Sequence, residues 1–217
     1  TQNGLNLYLP KSNSFKRFLH DPADGKSISN SVIRFLYQDR QGNIWVATEN
    51  GLNRLKHDHT FERYYAGSRG VPGLAHSLVK AVHQDHNNVF WVGTDEGLTS
   101  MTPKGKGYAY KTFLHDKDNP GSISQNDITT IYEDRLHNLW IGTHNKGLDV
   151  FDRETGEFKH FTHKKGQSGL SSNVIRKIRA DGEGRLWIST LHGVNIYDHK
   201  SGTFSRYPDN PDDPASL

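Results

Sequence analysis

The sequence has no cysteine among its 217 residues. That excludes disulfide scaffolds, thiol catalysis and cysteine-ligated zinc, and it leaves the redox compartment open. It also lacks any long hydrophobic run. Mean hydropathy is -0.79, no stretch approaches the roughly 20 apolar residues of a membrane-spanning helix, and no apolar signal-like segment stands at the start. Charge of one sign is missing too: 27 basic residues face 24 acidic ones for a net charge of +3, spread along the chain. Without a clustered basic stripe, nucleic acid is not an expected partner. There is no Gly-Xaa-Ser-Xaa-Gly elbow, phosphate loop or EF-hand. What the chain does have is 4 Trp, 9 Tyr, 10 Phe and 21 Gly, in a length that can bury a core by packing alone.

The tryptophans repeat. Trp45, Trp91, Trp140 and Trp187 stand 46, 49 and 47 residues apart, a period of the kind that marks repeat architectures. Asp39, Asp85, Asp134 and Asp181 precede them by six residues, Thr48, Thr94, Thr143 and Thr190 follow by three, and Gly51, Gly97, Gly147 and Gly193 come next. Thr1 and Gly4 fit the same phase. Each unit ends in two aromatics three apart, from Phe15 and Phe18 to Phe204 and Tyr207, and a small loop such as Ser122-Ile123-Ser124 opens the next.

Within one unit, short runs rich in β-branched and aromatic residues alternate with turn residues, which predicts strands. In the third full unit they cover Asp127–Glu133, Leu139–Thr143, Leu148–Phe151 and Glu157–Thr162. Four short strands per unit make a propeller blade, sandwiched between neighbours so that its middle strands are apolar on both faces. The expected fold is all-β: a propeller segment with a half-blade at 1–26, full blades at 27–72, 73–121, 122–168 and 169–215, and the start of another at 216–217. The half-blade lacks its first two strands, so the chain is expected to be part of a larger propeller whose open edges invite self-association.

The repeated polar residues have structural readings. Asp39, Asp85, Asp134 and Asp181 open the turn between first and second strands, where a carboxylate accepts backbone N–H bonds. Three residues on stand Gly42, Asn88, His137 and Gly184, types that tolerate positive φ. Trp45, Trp91, Trp140 and Trp187 are read as packing between blades, with the threonine hydroxyls bonding locally.

The unit Ile131-Tyr132-Glu133-Asp134, Asn138-Leu139-Trp140-Ile141-Gly142-Thr143, Gly147-Leu148-Asp149-Val150-Phe151-Asp152 resembles the two-component regulator propeller repeat. The second unit departs most, with Asn87-Asn88-Val89-Phe90 in its turn and Met101 in place of an aromatic. The resemblance implies part of the periplasmic or otherwise extracytoplasmic sensor region of a membrane-anchored signalling protein. In such proteins the propeller precedes an Ig-like domain, a transmembrane helix and a histidine kinase or diguanylate cyclase. It implies no catalysis in this segment, and ligand binding with an oligosaccharide as the suggested class.

Candidate ligand-binding residues follow from propeller geometry, in which first strands line the channel and the loops joining fourth to first and second to third strands emerge on one face. Five residues before the turn aspartates come Arg34, Lys80, Thr129 and Arg176, and two before come Tyr37, His83, Tyr132 and Arg179. The basic set could concentrate positive potential for an anionic ligand, or pair with Glu96 or Asp127; the planar set could stack on a sugar, or pack between strands. The loops offer Asn30, His76, Asn126 and Asn173, and then Glu49, Asn50, Asp95, Glu96, His144, Asn145, Lys146 and His192. No metal or cofactor is expected: His160 and His163, three apart on a strand, point to opposite faces. The expected partners are a small-molecule or oligosaccharide ligand, the remaining blades and signalling domains of a parent chain, and a second copy in a homodimer. No membrane contact by this segment is expected. Two other readings stand beside the sensor: a lyase of the streptogramin-lyase kind, drawing on His76, His144 and His192, and a protein-interaction or dimerisation scaffold.

Overall fold

A computed structural model describes residues 1–165 and 169–207. The expected start of a further blade at 216–217 lies outside these residues. The chain divides into two compact units, Thr1–Thr112 and Phe113–Leu217. Among the described residues every regular element is a strand.

The first unit opens with the hairpin β1 (Leu5–Leu9) and β2 (Ser14–Phe18). Two four-stranded antiparallel sheets follow. One holds β3 (Ile33–Gln38), β4 (Ile44–Thr48), β5 (Gly51–Leu55) and β6 (Phe61–Tyr64); the other holds β7 (Val79–Gln84), β8 (Phe90–Thr94), β9 (Leu98–Lys104) and β10 (Gly107–Phe113). The second unit has two more such sheets. They comprise β11 (Ile128–Glu133), β12 (Leu139–Thr143), β13 (Leu148–Phe151) and β14 (Phe158–Phe161), then β15 (Ile175–Ala180), β16 (Leu186–Thr190), β17 (Gly193–Asp198) and β18 (Thr203–Tyr207). Strand order follows chain order in each sheet, as short turns between antiparallel neighbours require. The second strands β8 and β12 are buried at every position, the mark of a sheet covered on both faces.

The tryptophans supply the packing between sheets. Trp45 on β4 is fully buried and its ring lies 4.4 Å from Phe90 on β8 and 5.4 Å from Tyr64 on β6. Met101 fills the same cluster where the last two full units carry Phe151 and Tyr197. In the second unit Trp140 stacks on Phe161 at 5.7 Å and meets Tyr197 of the next sheet at 4.9 Å.

Each tryptophan is also clamped. In the first turn, one oxygen of Asp39 accepts the N–H groups of Gln41 (3.0 Å) and Asn43 (2.7 Å), and the other accepts the indole N–H of Trp45 at 2.8 Å. The indole bond recurs from Trp91 to Asp85 (2.8 Å), Trp140 to Asp134 (2.7 Å) and Trp187 to Asp181 (2.9 Å). Buried carboxylates need such donors. The indole of Trp187, with help from Arg185, holds the Asp181 carboxyl well below the usual carboxylate range. The same turns place Gly42, Asn88, His137 and Gly184 at φ of 83°, 63°, 64° and 85°. At the far end of the second strand Thr48 Oγ1 donates to the Gly51 carbonyl at 2.8 Å. Gly51 has φ of 99°, and a Cβ there would stand 2.6 Å from the Tyr64 carbonyl oxygen, so only glycine fits.

Candidate functional site

The first strands carry an irregularity that gives the variable residues their positions. Pairing between first and second strands skips one residue in every full sheet. Ile33 opposes Thr48 and Phe35 opposes Ala47, which leaves Arg34 over; the same shift leaves over Lys80, Thr129 and Arg176. These are β-bulges, which release one residue from the ladder and re-aim its side chain. The residues five before each turn aspartate are therefore the bulge residues, and their side chains are free of the demands of sheet pairing.

In the first unit the bulges bring two cations together. Arg34 Nη2 forms an ion pair with Glu49 on the loop after β4, and Arg34, Leu78 and Lys80 line one open cleft of about 370 Å³. The acidic partner expected from the sequence was Glu96 or Asp127; the neighbouring loop's Glu49 takes that place for Arg34. On the same loops His76 Nδ1 lies 2.6 Å from Asp95 Oδ1. In the second unit the bulge at Thr129 instead donates its hydroxyl to the Ile175 carbonyl at 2.8 Å, linking two sheets, and Arg176 is exposed. Beside it Lys177 is half-buried, and burial together with the charge of Arg179 lowers its amine to about 8.

The planar residues two before each aspartate face the tryptophans across the ladder: Tyr37 opposite Trp45, His83 opposite Trp91, Tyr132 opposite Trp140 and Arg179 opposite Trp187. Tyr37 and His83 meet ring to ring at 5.8 Å, and the Tyr37 hydroxyl oxygen accepts the Gln84 N–H at 3.0 Å. Tyr132 packs on the second unit's core. Arg179 is exposed. In the loops after the second strands, His144, Asn145 and His192 are exposed, with the Asn145 N–H held by Gln125 and the His192 N–H by Thr190.

Several loop residues that looked available serve the backbone. Asn126 and Asn173 accept the N–H groups of His115 and His163, each at 2.6 Å, and Ser31 does the same for His20 at 3.0 Å. Ring Nδ1 of these three histidines donates to the carbonyls of Ile123 (2.9 Å), Leu170 (2.6 Å) and Ile28 (2.8 Å). Their regular place, two residues after Phe113, Phe161 and Phe18, was a readable signal. His160 and His163 have separate partners, with His160 paired to Asp149.

A sequence profile of the family described as two component regulator propeller matches residues 27–50, 122–145 and 169–192. The chain carries two component regulator propeller repeats. Each match runs from the small loop through the Asp–Trp turn to the loop after the second strand, and the divergent second unit falls outside it. No curated protein matches the chain. Among solved structures, the extracellular domain of a hybrid two component system from B. thetaiotaomicron is similar at 23% identity, covering 82% of this chain and 30% of that one, with a TM-score of 0.61. Virginiamycin B lyase from Staphylococcus aureus is similar at 15% identity over 96% of this chain and 64% of its own, with a TM-score of 0.66. PorZ, a surface component of the type-IX secretion system of Porphyromonas gingivalis, is similar at 17% identity over 90% and 34%, with a TM-score of 0.64. This chain spans less than two thirds of each. At such identities the likeness establishes the fold, a β-propeller segment.

Proposed function

We propose that this chain is a non-catalytic sensing propeller, the extracytoplasmic part of a membrane-anchored two-component protein, and that it recognises an anionic oligosaccharide. The observation that carries the reading is the pair of bulges at Arg34 and Lys80, which turn two cations into one cleft in a chain that carries repeats of a signalling family. A bulge costs the ladder a regular pair. Keeping one in every full sheet, while the residue on it changes, frees that position for recognition without disturbing the blade. Low-dielectric walls around clustered cations strengthen the attraction for carboxylate or sulfate groups.

The test is thermal unfolding with sulfated, uronate-containing and neutral oligosaccharides. A ligand at a hundred times its Kd stabilises by about 2.7 kcal/mol, so an anionic glycan should raise Tm and a neutral one of equal size should not. Lys80→Ala should abolish the rise. No response to any glycan, or a response that Lys80→Ala leaves intact, would overturn the assignment.

The lyase reading keeps some support from the fold likeness, which covers 96% of this chain, and from the exposed His144 and His192. It requires saturable Mg²⁺ or Mn²⁺ binding that is lost in His144→Ala.

A further inference from the structure

One loop is built twice in this chain, with one difference. Residues 21–27 and 116–122 both lead toward a first strand, and both close on themselves in the same way. The N–H of Asp21 donates to Ser27 Oγ at 2.9 Å and that of Asp116 to Ser122 Oγ at 3.0 Å. The N–H groups of Phe61 and Phe158 reach the Lys26 and Gly121 carbonyls at 2.8 Å. Each loop is then fastened by a residue on the fourth strand, which lies opposite a fully buried polar residue on the third: Arg63 opposite Asn53, and His160 opposite Asp149. A third sheet repeats the arginine form, with Arg206 opposite Asn195 and its guanidinium on the Gly169 and Leu170 carbonyls.

The chemistry of the two fastenings differs. Arg63 donates to the carbonyls of Ser27 and Asp24, each at 2.6 Å, with a charge that no accessible pH removes. The ring of His160 stands between two acceptors, Asp149 Oδ1 at 2.6 Å from Nδ1 and the Pro120 carbonyl at 3.0 Å from Nε2. A carboxylate and a carbonyl both require a donor, so both nitrogens must carry hydrogen and the ring must be an imidazolium. Asp149, fully buried and already accepting from Ser124 N–H and Oγ at 2.9 Å, replaces the neutral Asn53 and Asn195 where the histidine replaces arginine. The charge has been moved from a permanent cation to a titratable pair.

We propose that His160 is a proton-operated latch, holding the 116–122 loop to the body of its blade as an imidazolium and releasing Pro120 when it becomes neutral, which opens the cleft that this loop lines. The cleft measures about 330 Å³ and is bordered by Lys117, Pro120, His160 and, from the loop after β12, Lys146. The neutral ring keeps its one proton on Nδ1, toward the carboxylate. Nε2 then turns a lone pair on the Pro120 oxygen, and attraction becomes repulsion. The other ionisable groups around the ring are His115, Asp116, Lys117 and Lys146 at the cleft and Glu157, whose carboxyl packs on Gly121. None of these replaces the contact to Pro120.

The sign follows from the pair. The hydrogen bond to Asp149, opposed by burial and aided by Pro120, raises the His160 pKa above its ordinary value. The latch is therefore complete below the unfolded value of about 6.5 and is lost as pH rises through the higher folded value.

Hydrogen exchange of the 116–124 and 21–29 segments in the full chain, corrected for intrinsic rate, tests this between pH 5.5 and 9. The His160 loop should exchange on the order of tenfold faster at the upper pH, while the Arg63 loop keeps its protection throughout. His160→Arg should hold the 116–122 loop at both pH values, and His160→Phe, which has no donor, should leave it open at both. Should the variants not fold, ¹⁵N shifts of the wild-type ring decide. Two protonated nitrogens at pH 6 support the latch; a single one, or equal protection of the loop across the range, sinks it.

Discussion

The two ends of a blade obey different rules. At the end where first and second strands turn, Asp39, Asp85, Asp134 and Asp181 perform the same task in the same way, each bonding its own turn and its own tryptophan. At the other end, the bulge carries Arg34, Lys80, Thr129 or Arg176, and these reach a loop carboxylate, a shared cleft, a neighbouring sheet or solvent. The contrast teaches where sequence is dictated. A side chain whose bonds all end within its own turn is fixed by the fold. One that a bulge has taken out of the ladder answers to whatever lies beyond the ladder.

The comparison breaks first at the clamp. Trp45→Ala empties a fully buried site between two sheets and removes one of the donors to the nine-tenths-buried carboxylate of Asp39. It should cost about 3–5 kcal/mol, read as a fall in the urea midpoint. A loss below about 1 kcal/mol would mean that the indole is not what joins these sheets.

A smaller effect isolates the backbone of the same turn. Gly42 has φ of 83°, and a Cβ there would meet nothing nearer than the Gln38 amide at 3.9 Å. Gly42→Ala therefore tests conformation without steric conflict and should cost about 1–2 kcal/mol. Gly25, in open space without a positive φ, supplies the control: Gly25→Ala should leave the midpoint unchanged.

The dictated end was legible in the sequence because its signals are local. The period of the tryptophans, the aspartate six residues ahead and the glycine-like position at Gly42, Asn88, His137 and Gly184 gave the blade and its turn directly. The bond from indole to carboxylate was not read, although its spacing was visible, because it closes across a turn whose path depends on that very bond. The bulges were invisible for a different reason: a skipped pair is a property of two strands, and one strand read alone shows no gap. One set of loop residues was also out of register by one position. Asn126 and Asn173 were grouped with Asn30 and His76, whereas they share the task of Ser31. Counting from the following strand, Ile33, Ile128 and Ile175, aligns them correctly.

The smallest expected effect sharpens the comparison most. Arg176 is exposed on its bulge, and the other three bulges hold their shape around a lysine, a threonine and another arginine. If the irregularity belongs to the strand pairing rather than to the residue, Arg176→Ala should shift stability by less than about 0.5 kcal/mol. Thr129→Ala provides the scale on the same unit, since it deletes the 2.8 Å bond to the Ile175 carbonyl and should cost about 1 kcal/mol. Denaturant midpoints of the two variants separate the cases. An Arg176 loss as large as that of Thr129 would show that the bulge position is itself part of the blade's framework. Its variation between units would then reflect packing, and the cations at Arg34 and Lys80 would lose their claim to recognise a ligand.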